Sequence, residues 1–209
     1  MTEAAKFLQR HCLVTVGATV GFRELIQQVL EPIFWAFLRH EGFTSLHIQC
    51  GPDISWASTR LIELQDELLP ELQVTVFDVK KNLVQDGMVL CKCVEGHRLQ
   101  GLVISHAGTG TILDAWKLGI PIIVVPNTSL LDNHQEELAK HLAHEGYATR
   151  AEASRDDLQE AILKSNLLCE DNRSRWPPTK PAHVHNEAVR LWDIKPVDSR
   201  EEDATMAND

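Results

Sequence analysis

Short runs of apolar, often β-branched residues alternate along the chain with stretches in which apolar residues recur every three or four positions. The short runs are typical of buried strands and the longer period is typical of helices, so their alternation indicates βα units around a parallel sheet. The predicted fold class is therefore α/β. The predicted strands are residues 12–16, 46–49, 74–79, 102–105 and 122–125.

Helices are predicted between these strands. Residues 112–118 have helical periodicity that stops at Gly119, with Pro121 just beyond, which is the usual punctuation of a helix C-terminus. Pro32 predicts a kink or break within another helical stretch, residues 22–38. The other predicted helices are residues 133–145, 156–164 and 186–192, whereas residues 80–101 are too weakly periodic to assign.

The chain is predicted to have one main domain, residues 1–165. Prolines near residues 176–181 favour extended backbone, so residues 166–198 are predicted to be a C-terminal extension that docks on the core. Residues 199–209 are acidic and have few bulky apolar side chains, which predicts a disordered tail.

Charge and cysteine usage narrow the choice of partners and compartment. Twenty basic against 30 acidic residues give a net charge of −10, which argues against a nucleic acid or an anionic membrane as the main partner. The five cysteines form no disulfide framework, which favours a reducing, cytosolic compartment. No signal-peptide pattern and no apolar run near the ~18 residues of a membrane span is present, so no direct membrane span is expected.

Three loops that follow predicted strands have unusual composition: residues 17–21, 106–111 and 127–135 are small, polar or glycine-bearing. In a parallel sheet these loops share one edge, where ligands bind. Glycines let the backbone approach a ligand, and a following helix start offers free N–H groups, so phosphate is the expected guest. The alternative for Gly108 and Gly110 is a simple tight turn.

The type of phosphate ligand is narrowed by what these loops lack. There is no G-K-[ST] motif, and Leu113 stands where a dinucleotide motif has its third glycine, so nucleotide triphosphate hydrolysis and NAD chemistry are disfavoured. Asp114, expected in the first turn of its helix, can accept hydrogen bonds from a vicinal diol such as ribose. The alternative is a capping box formed by Thr111 and Asp114.

The third loop presents Asn133, His134 and Gln135 in succession. Their amide and imidazole groups suit sugar hydroxyls, although Asp132 or Asn133 can instead cap the following helix. Capping requires only one such residue, so at least one of the three is expected to face the ligand crevice.

Metal and hydrolase chemistry are both disfavoured. His141 and His144 have helical spacing but no third ligand at a sensible spacing, and no metal cofactor is expected. Ser105 and His106 are neighbours at a strand end, where adjacent side chains diverge, and no G-x-S-x-G motif is present.

The second and third of these loops lie in segments that together resemble one family. These segments are residues 103–115, 119–127 and 132–139, and the opening residues 14–17 with Phe22 and Leu25 also fit. They resemble the donor-binding subunit of the two-subunit UDP-N-acetylglucosamine transferase that makes dolichol-diphosphate-linked chitobiose. The likeness extends over about residues 12–150 and is similar, more distantly, to the C-terminal half of the bacterial transferase that forms the lipid-linked peptidoglycan disaccharide.

The resemblance implies the Rossmann-like C-terminal half of a GT-B glycosyltransferase that binds UDP-N-acetylglucosamine. Asp114 would hold the ribose, and Gly17 and Thr19 would close the diphosphate side. The first loop departs from the family, which usually has Gly-Thr-Thr-x-Phe where residues 17–22 read GATVGF. The remaining donor-binding residues implied are His106, Gly108, Thr109, Gly110 and Thr111 at the diphosphate, Asn133, His134 and Gln135 at the sugar, and Asn127.

The activity implied is inverting transfer of the second N-acetylglucosamine, in β-1,4 linkage, to dolichol-diphosphate-N-acetylglucosamine. The partner implied is a membrane-anchored acceptor-side subunit that recruits the chain to the cytosolic face of the endoplasmic reticulum, as a heterodimer that is inactive when separated. The general base is expected on the partner, with His106 and His134 as the internal candidates. The alternatives are a non-catalytic nucleotide-sugar-binding regulatory module, or a transferase half that acts on another lipid-linked or polysaccharide acceptor.

Overall fold

The computed structural model describes residues 8–129 and 134–175, and these form one sheet flanked by helices. The six strands are all parallel, in the order β3-β2-β1-β4-β5-β6. Their bounds are β1 His11–Thr15, β2 Ser45–Gln49, β3 Gln73–Phe77, β4 Leu102–His106, β5 Ile122–Val125 and β6 Thr149–Arg150. This order is that of a Rossmann fold, in which the strand sequence reverses between β1 and β4.

Helices connect the strands. They are α1 Arg23–Val29, α2 Pro32–His40, α3 Ile54–Glu63, α4 Leu83–Asp86, α5 Thr109–Leu118, α6 His134–His144 and α7 Arg155–Arg175. None of the helices in the described ranges is both long and apolar enough to cross a membrane.

Each face of the sheet buries its own apolar core. One core packs α1, α2, α3 and α7 against alternate strand residues such as Val14 and Ile104, and its largest buried side chain is Trp35. The other core packs α5 and α6 against Leu13 and Val103, which point to the opposite face. Successive strand residues therefore alternate between two buried faces, and this explains the nearly uninterrupted apolar runs of β4 and β5.

The structure confirms the α/β class, the parallel sheet and the five predicted strands. It also places the predicted break at Pro32, which is the first residue of α2; a proline is tolerated there because the first helical N–H needs no acceptor. Helix α5 ends as predicted at Gly119, whose φ of 68° is the left-handed conformation that glycine adopts readily.

Several elements differ from the predictions. Strand β6 has only two residues, too few to show a period, and α3 was not predicted. Residues 80–101 contain α4 and a short 3-10 turn at Met88–Cys91. Helix α7 runs to Arg175, beyond the predicted end at residue 164 and across the expected domain boundary at residue 165. The predicted helix at 186–192 and the tail lie outside the described residues.

A row of polar side chains crosses the amino-terminal half of the sheet. The imidazoles of His11 and His47 are stacked with centroids 5.3 Å apart, and His11 Nδ1 lies 3.1 Å from His47 Nε2. His47 Nδ1 in turn lies 2.8 Å from the Thr75 hydroxyl. The pKa of His11 is lowered to about 4 by burial and by the nearby charges of His47 and Arg98. The pKa of His47 is lowered by burial and by the charge of Lys80. Both rings are therefore neutral at pH 7.

The stability of the fold should fall as the solution is acidified below pH 6.5. The unfolded chain protonates both histidines near pH 6.5, whereas folded His11 resists protonation until about pH 4 and the pKa of folded His47 is also lowered. The unfolded state therefore binds more protons in this range. We expect the free energy of unfolding to drop by roughly 2 kcal/mol between pH 7 and pH 4.5. Urea unfolding followed by circular dichroism measures it.

His11→Phe is the matched variant, because it keeps an aromatic ring in the stack and removes the titrating group. Its loss of stability over the same pH interval should be smaller than that of the wild type. An equal loss in the two proteins would show that His11 does not cause the acid sensitivity.

Candidate functional site

Two loops meet on the imidazole of His106 at the carboxyl edge of the sheet. Gly17 follows β1 with a φ of 85°, and a Cβ placed on it would lie 2.8 Å from His106 Nε2. A Cβ on Gly108 would lie 2.6 Å from the same nitrogen. The ring thus lies between two glycine backbones, and no larger residue fits at either position without moving it. Close contact with the His106 ring therefore gives a reason for glycine at positions 17 and 108, in addition to the expected approach of a ligand or a tight turn.

The hydrogen bonding of His106 sets its protonation. Its Nδ1 lies 3.4 Å from the carbonyl oxygen of Thr15, which can only accept, so Nδ1 carries the proton. Burial lowers the pKa of His106, and the bond to Thr15 offsets part of that shift. The ring is therefore neutral at pH 7, with Nε2 left as an acceptor beside Gly17 and Gly108.

Helix α5 begins immediately after Gly108, the second glycine that contacts this ring. Gly108 is the N-cap, no side chain caps the helix, and the Gly108 N–H donates to the His106 carbonyl at 2.5 Å. The first-turn N–H groups of Thr109, Gly110 and Thr111 have no intrahelical acceptor, and a ten-residue helix adds its positive dipole end. Thr109 and Gly110 are exposed. An anion that reaches this edge therefore meets several unpaired donors.

Asp114 lies in the second turn of α5, so its predicted place in the first turn is wrong. The capping box with Thr111 does not form, because the helix begins two residues earlier at Thr109. The carboxylate is partly exposed and pairs with Lys117 at 3.2 Å. Gly110 precedes it by one helical turn, and a Cβ there would meet nothing within 4 Å, so the path from Asp114 to the helix start is open.

Asn127 joins the first loop to the third. Its Nδ2 donates to the Gly21 carbonyl at 3.2 Å, and its backbone N–H donates to Gln135 Oε1 at 2.9 Å. Its own Oδ1 accepts from the Ser129 hydroxyl at 2.6 Å. The carbonyl of the Gln135 amide is thus committed to the backbone, which fixes the orientation of the side chain and turns its NH₂ group away from Asn127.

Two more of the predicted site residues lie in the described part of these loops. Thr19 is exposed in the first loop, and His134 is the exposed first residue of α6. Asn133 lies outside the described residues. The structure thus brings together the three loops that the sequence placed at one edge, and it places Gln135 in a structural hydrogen bond that the sequence did not reveal.

Sequence reasoning missed two groups on the β2 side of this edge. Gln49, the last residue of β2, is buried and donates from Nε2 to the Gly17 carbonyl at 2.9 Å. Asp53 accepts from Arg23 at 3.0 Å, beside Gly21. Arg23 also lies over the ring of Trp56. Neither group belongs to a recognisable motif.

Comparison with known proteins places this geometry in a family. Residues 11–176 match the glycosyltransferase family 28 C-terminal domain. The chain is 34% identical over 176 residues to the UDP-N-acetylglucosamine transferase subunit ALG13 of Kluyveromyces lactis, covering 77% of this chain and 89% of that protein. It is 35% identical over 197 residues to the subunit of the same name from Cryptococcus neoformans, covering 85% and 93%.

Solved structures agree with the sheet topology. A solution structure of ALG13 superposes with a TM-score of 0.58 at 29% identity, covering 77% of this chain and 87% of that one. MurG of Acinetobacter baumannii superposes with a TM-score of 0.53 at 20% identity, and 80% of this chain covers 44% of MurG, which shows a shared fold. The chain belongs to the family of UDP-N-acetylglucosamine transferase subunits that carry a glycosyltransferase family 28 C-terminal domain.

Proposed function

We propose that this chain is the donor-binding subunit of an inverting GT-B transferase. In the reaction, a hydroxyl of dolichol-diphosphate-N-acetylglucosamine attacks the anomeric carbon of UDP-N-acetylglucosamine, the bond to UDP breaks, and a β-1,4 linkage forms. The observation that carries the proposal is the meeting of the two glycine loops on neutral His106 beside the uncapped start of α5. The similarity to transferase subunits named for UDP-N-acetylglucosamine supports this choice of donor.

The diphosphate lies, in this proposal, at the start of α5. The N–H groups of Thr109, Gly110 and Thr111, with the hydroxyls of the two threonines, receive the negative charge that UDP gains as it leaves. A neutral His106 adds no charge of its own there, so in this proposal the backbone dipoles at the start of α5 stabilise the leaving group. Thr19 closes the same side from the first loop.

The nucleoside and the sugar extend to opposite sides of the diphosphate. Asp114 accepts from the ribose hydroxyls along the open face above Gly110. Gln135, whose carbonyl is held by Asn127, presents its NH₂ group to oxygen atoms of the N-acetylglucosamine, and His134 and Asn133 complete the sugar contacts.

The acceptor side and the general base belong, in this proposal, to a membrane-anchored partner. The matched family domain, residues 11–176, is a single Rossmann-like half, and the MurG comparison aligns it with less than half of that chain. Nε2 of His106 is the internal candidate for the base because it is unprotonated, whereas His134 is exposed at the start of α6. The partner recruits this chain to the cytosolic face of the endoplasmic reticulum.

Asp114→Asn should weaken binding of the nucleoside part of the donor. The amide retains the shape but replaces one acceptor oxygen with a donor, and we expect about a tenfold to hundredfold loss of kcat/KM with UDP-N-acetylglucosamine. Transfer of radiolabelled N-acetylglucosamine to the lipid acceptor by the reconstituted pair measures the effect. Lys117→Met is the control, because it breaks the ion pair with Asp114 and leaves the carboxylate in place.

Gly108→Ala should displace the His106 ring and lower the affinity for UDP. Its Cβ would lie 2.6 Å from Nε2, and the Gly17 loop approaches the same nitrogen, where a Cβ on Gly17 would lie 2.8 Å away. Gly42→Ala is the matched control, since Gly42 has a φ of 80° but nothing within 4 Å, so the substitution strains the backbone away from the site. Calorimetric titration with UDP should show about tenfold weaker binding for Gly108→Ala only. Equal binding by both variants would contradict the proposed site.

The isolated chain should bind UDP and transfer no sugar, and activity should appear when it is co-purified with its membrane-anchored subunit. The physical reason is that the acceptor lipid and the base are supplied from the other side of the cleft. Product formation by the isolated chain would refute the two-subunit arrangement. Binding that persists without turnover in the complete pair would identify a regulatory binding module instead.

A further inference from the structure

The first glycine loop is held in place by a buried polar contact that lies outside the proposed donor site. Gln49 is 3% exposed and is level with Thr15 in the β1–β2 register. The Thr15 hydroxyl, also buried, donates to Gln49 Oε1 at 2.5 Å. Gln49 Nε2 donates to the carbonyl of Gly17 at 2.9 Å. The Gln49 amide therefore makes a hydrogen bond through each of its polar atoms: its oxygen bonds to Thr15 on β1, and its nitrogen bonds to Gly17 in the loop that follows β1.

The same loop position is enclosed from the β2 side. Gly51 has a φ of 50°, and a Cβ on it would lie 2.5 Å from the Gly17 carbonyl oxygen. That carbonyl thus occupies a narrow space between the Gln49 amide and the Gly51 backbone. The Gly17 carbonyl therefore has no room to shift toward β2. Gln49 and Gly51 together hold Gly17 in its left-handed conformation.

This restraint continues to the imidazole. Gly17 contacts one side of His106, and Thr15, the partner of Gln49, supplies the carbonyl that accepts from His106 Nδ1. The Gln49 side chain therefore contacts both residues that hold the ring, Thr15 on β1 and Gly17 in the loop that follows. It reaches no exposed part of the edge, so it touches no ligand there.

We propose that Gln49 is a positioning residue that presets the Gly17 loop and the His106 ring for the donor diphosphate; this inference rests on the proposed function. Without the amide, the Gly17 carbonyl loses its donor and the loop is free to leave the conformation that faces the start of α5. Part of the binding free energy must then be spent on ordering the loop, and this weakens binding of any ligand that uses it.

The test compares Gln49→Met with Ile48→Val in the full-length chain. Methionine approximates the length and volume of glutamine and makes neither hydrogen bond. Ile48→Val truncates a fully buried neighbour on the same strand whose apolar side chain makes no hydrogen bond to the Gly17 loop or to His106, so it reports the effect of a destabilised β2. Thr15→Val is the second variant, because it removes the hydroxyl that orients the amide and leaves the Thr15 backbone carbonyl in place.

Calorimetric titration with UDP should give binding about tenfold weaker for Gln49→Met, a smaller loss for Thr15→Val, and no change for Ile48→Val. Nuclear magnetic resonance provides the second readout. The Gly17 amide and the His106 ring nitrogens should shift in Gln49→Met without ligand, and they should stay unchanged in Ile48→Val. A merely structural role for Gln49 would lower stability and leave these signals of the folded state where they are.

The outcomes separate this inference from the proposed function. If the wild type binds UDP and Gln49→Met binds it equally well, the positioning role is overturned and the donor site stands. If the wild type does not bind UDP, the proposed function fails and the inference fails with it. If Gln49→Met and Ile48→Val weaken binding alike, loss of stability in β2 is the cause and the positioning role is again overturned.

Discussion

The arrangement of the ligand edge depends on one packing constraint, the insertion of the His106 ring between the backbones of Gly17 and Gly108. The two glycines belong to loops that follow β1 and β4, the strands between which the sheet order reverses. Such a reversal opens a crevice in every fold of this type. Here a neutral imidazole fills the base of that crevice and sets the distance between the two loops, which leaves the start of α5 uncovered.

Much of this edge could be predicted because it depends on local chemistry. A strand buried on both faces has an apolar run, and a loop that needs close backbone approach has glycine, so β4, β5 and the loops at Gly17 and Gly108 were readable from the sequence. The contacts of Gln49 and Gln135 were not readable from the sequence. The Gln49 amide reaches from the end of β2 to the loop that follows β1, which depends on strand register, and Gln135 binds a backbone N–H eight residues earlier, a contact that leaves no motif. The start of α5 was misjudged for a different reason: a glycine N-cap gives no side-chain signal, so Asp114 was assigned to the wrong turn.

The distribution of apolar side chains shows how the described part of this chain buries its own core. The described core is closed on both faces of the sheet by α1, α2, α3 and α7 on one side and by α5 and α6 on the other. Neither core leaves a face of the sheet to be completed by another protein. In the proposed two-subunit enzyme, the second subunit would then govern activity rather than folding.

The bonds of Asn127 have a consequence for how such a site changes during evolution. One side chain and its backbone link the Gly21 carbonyl of the first loop to Gln135 at the start of α6. In the proposed donor site, a substitution that changes the sugar contacts of Gln135 would be transmitted to the loop that follows β1. Sugar selectivity and nucleotide affinity would then be thermodynamically coupled, so that a lineage acquiring a new sugar preference would have to readjust both together.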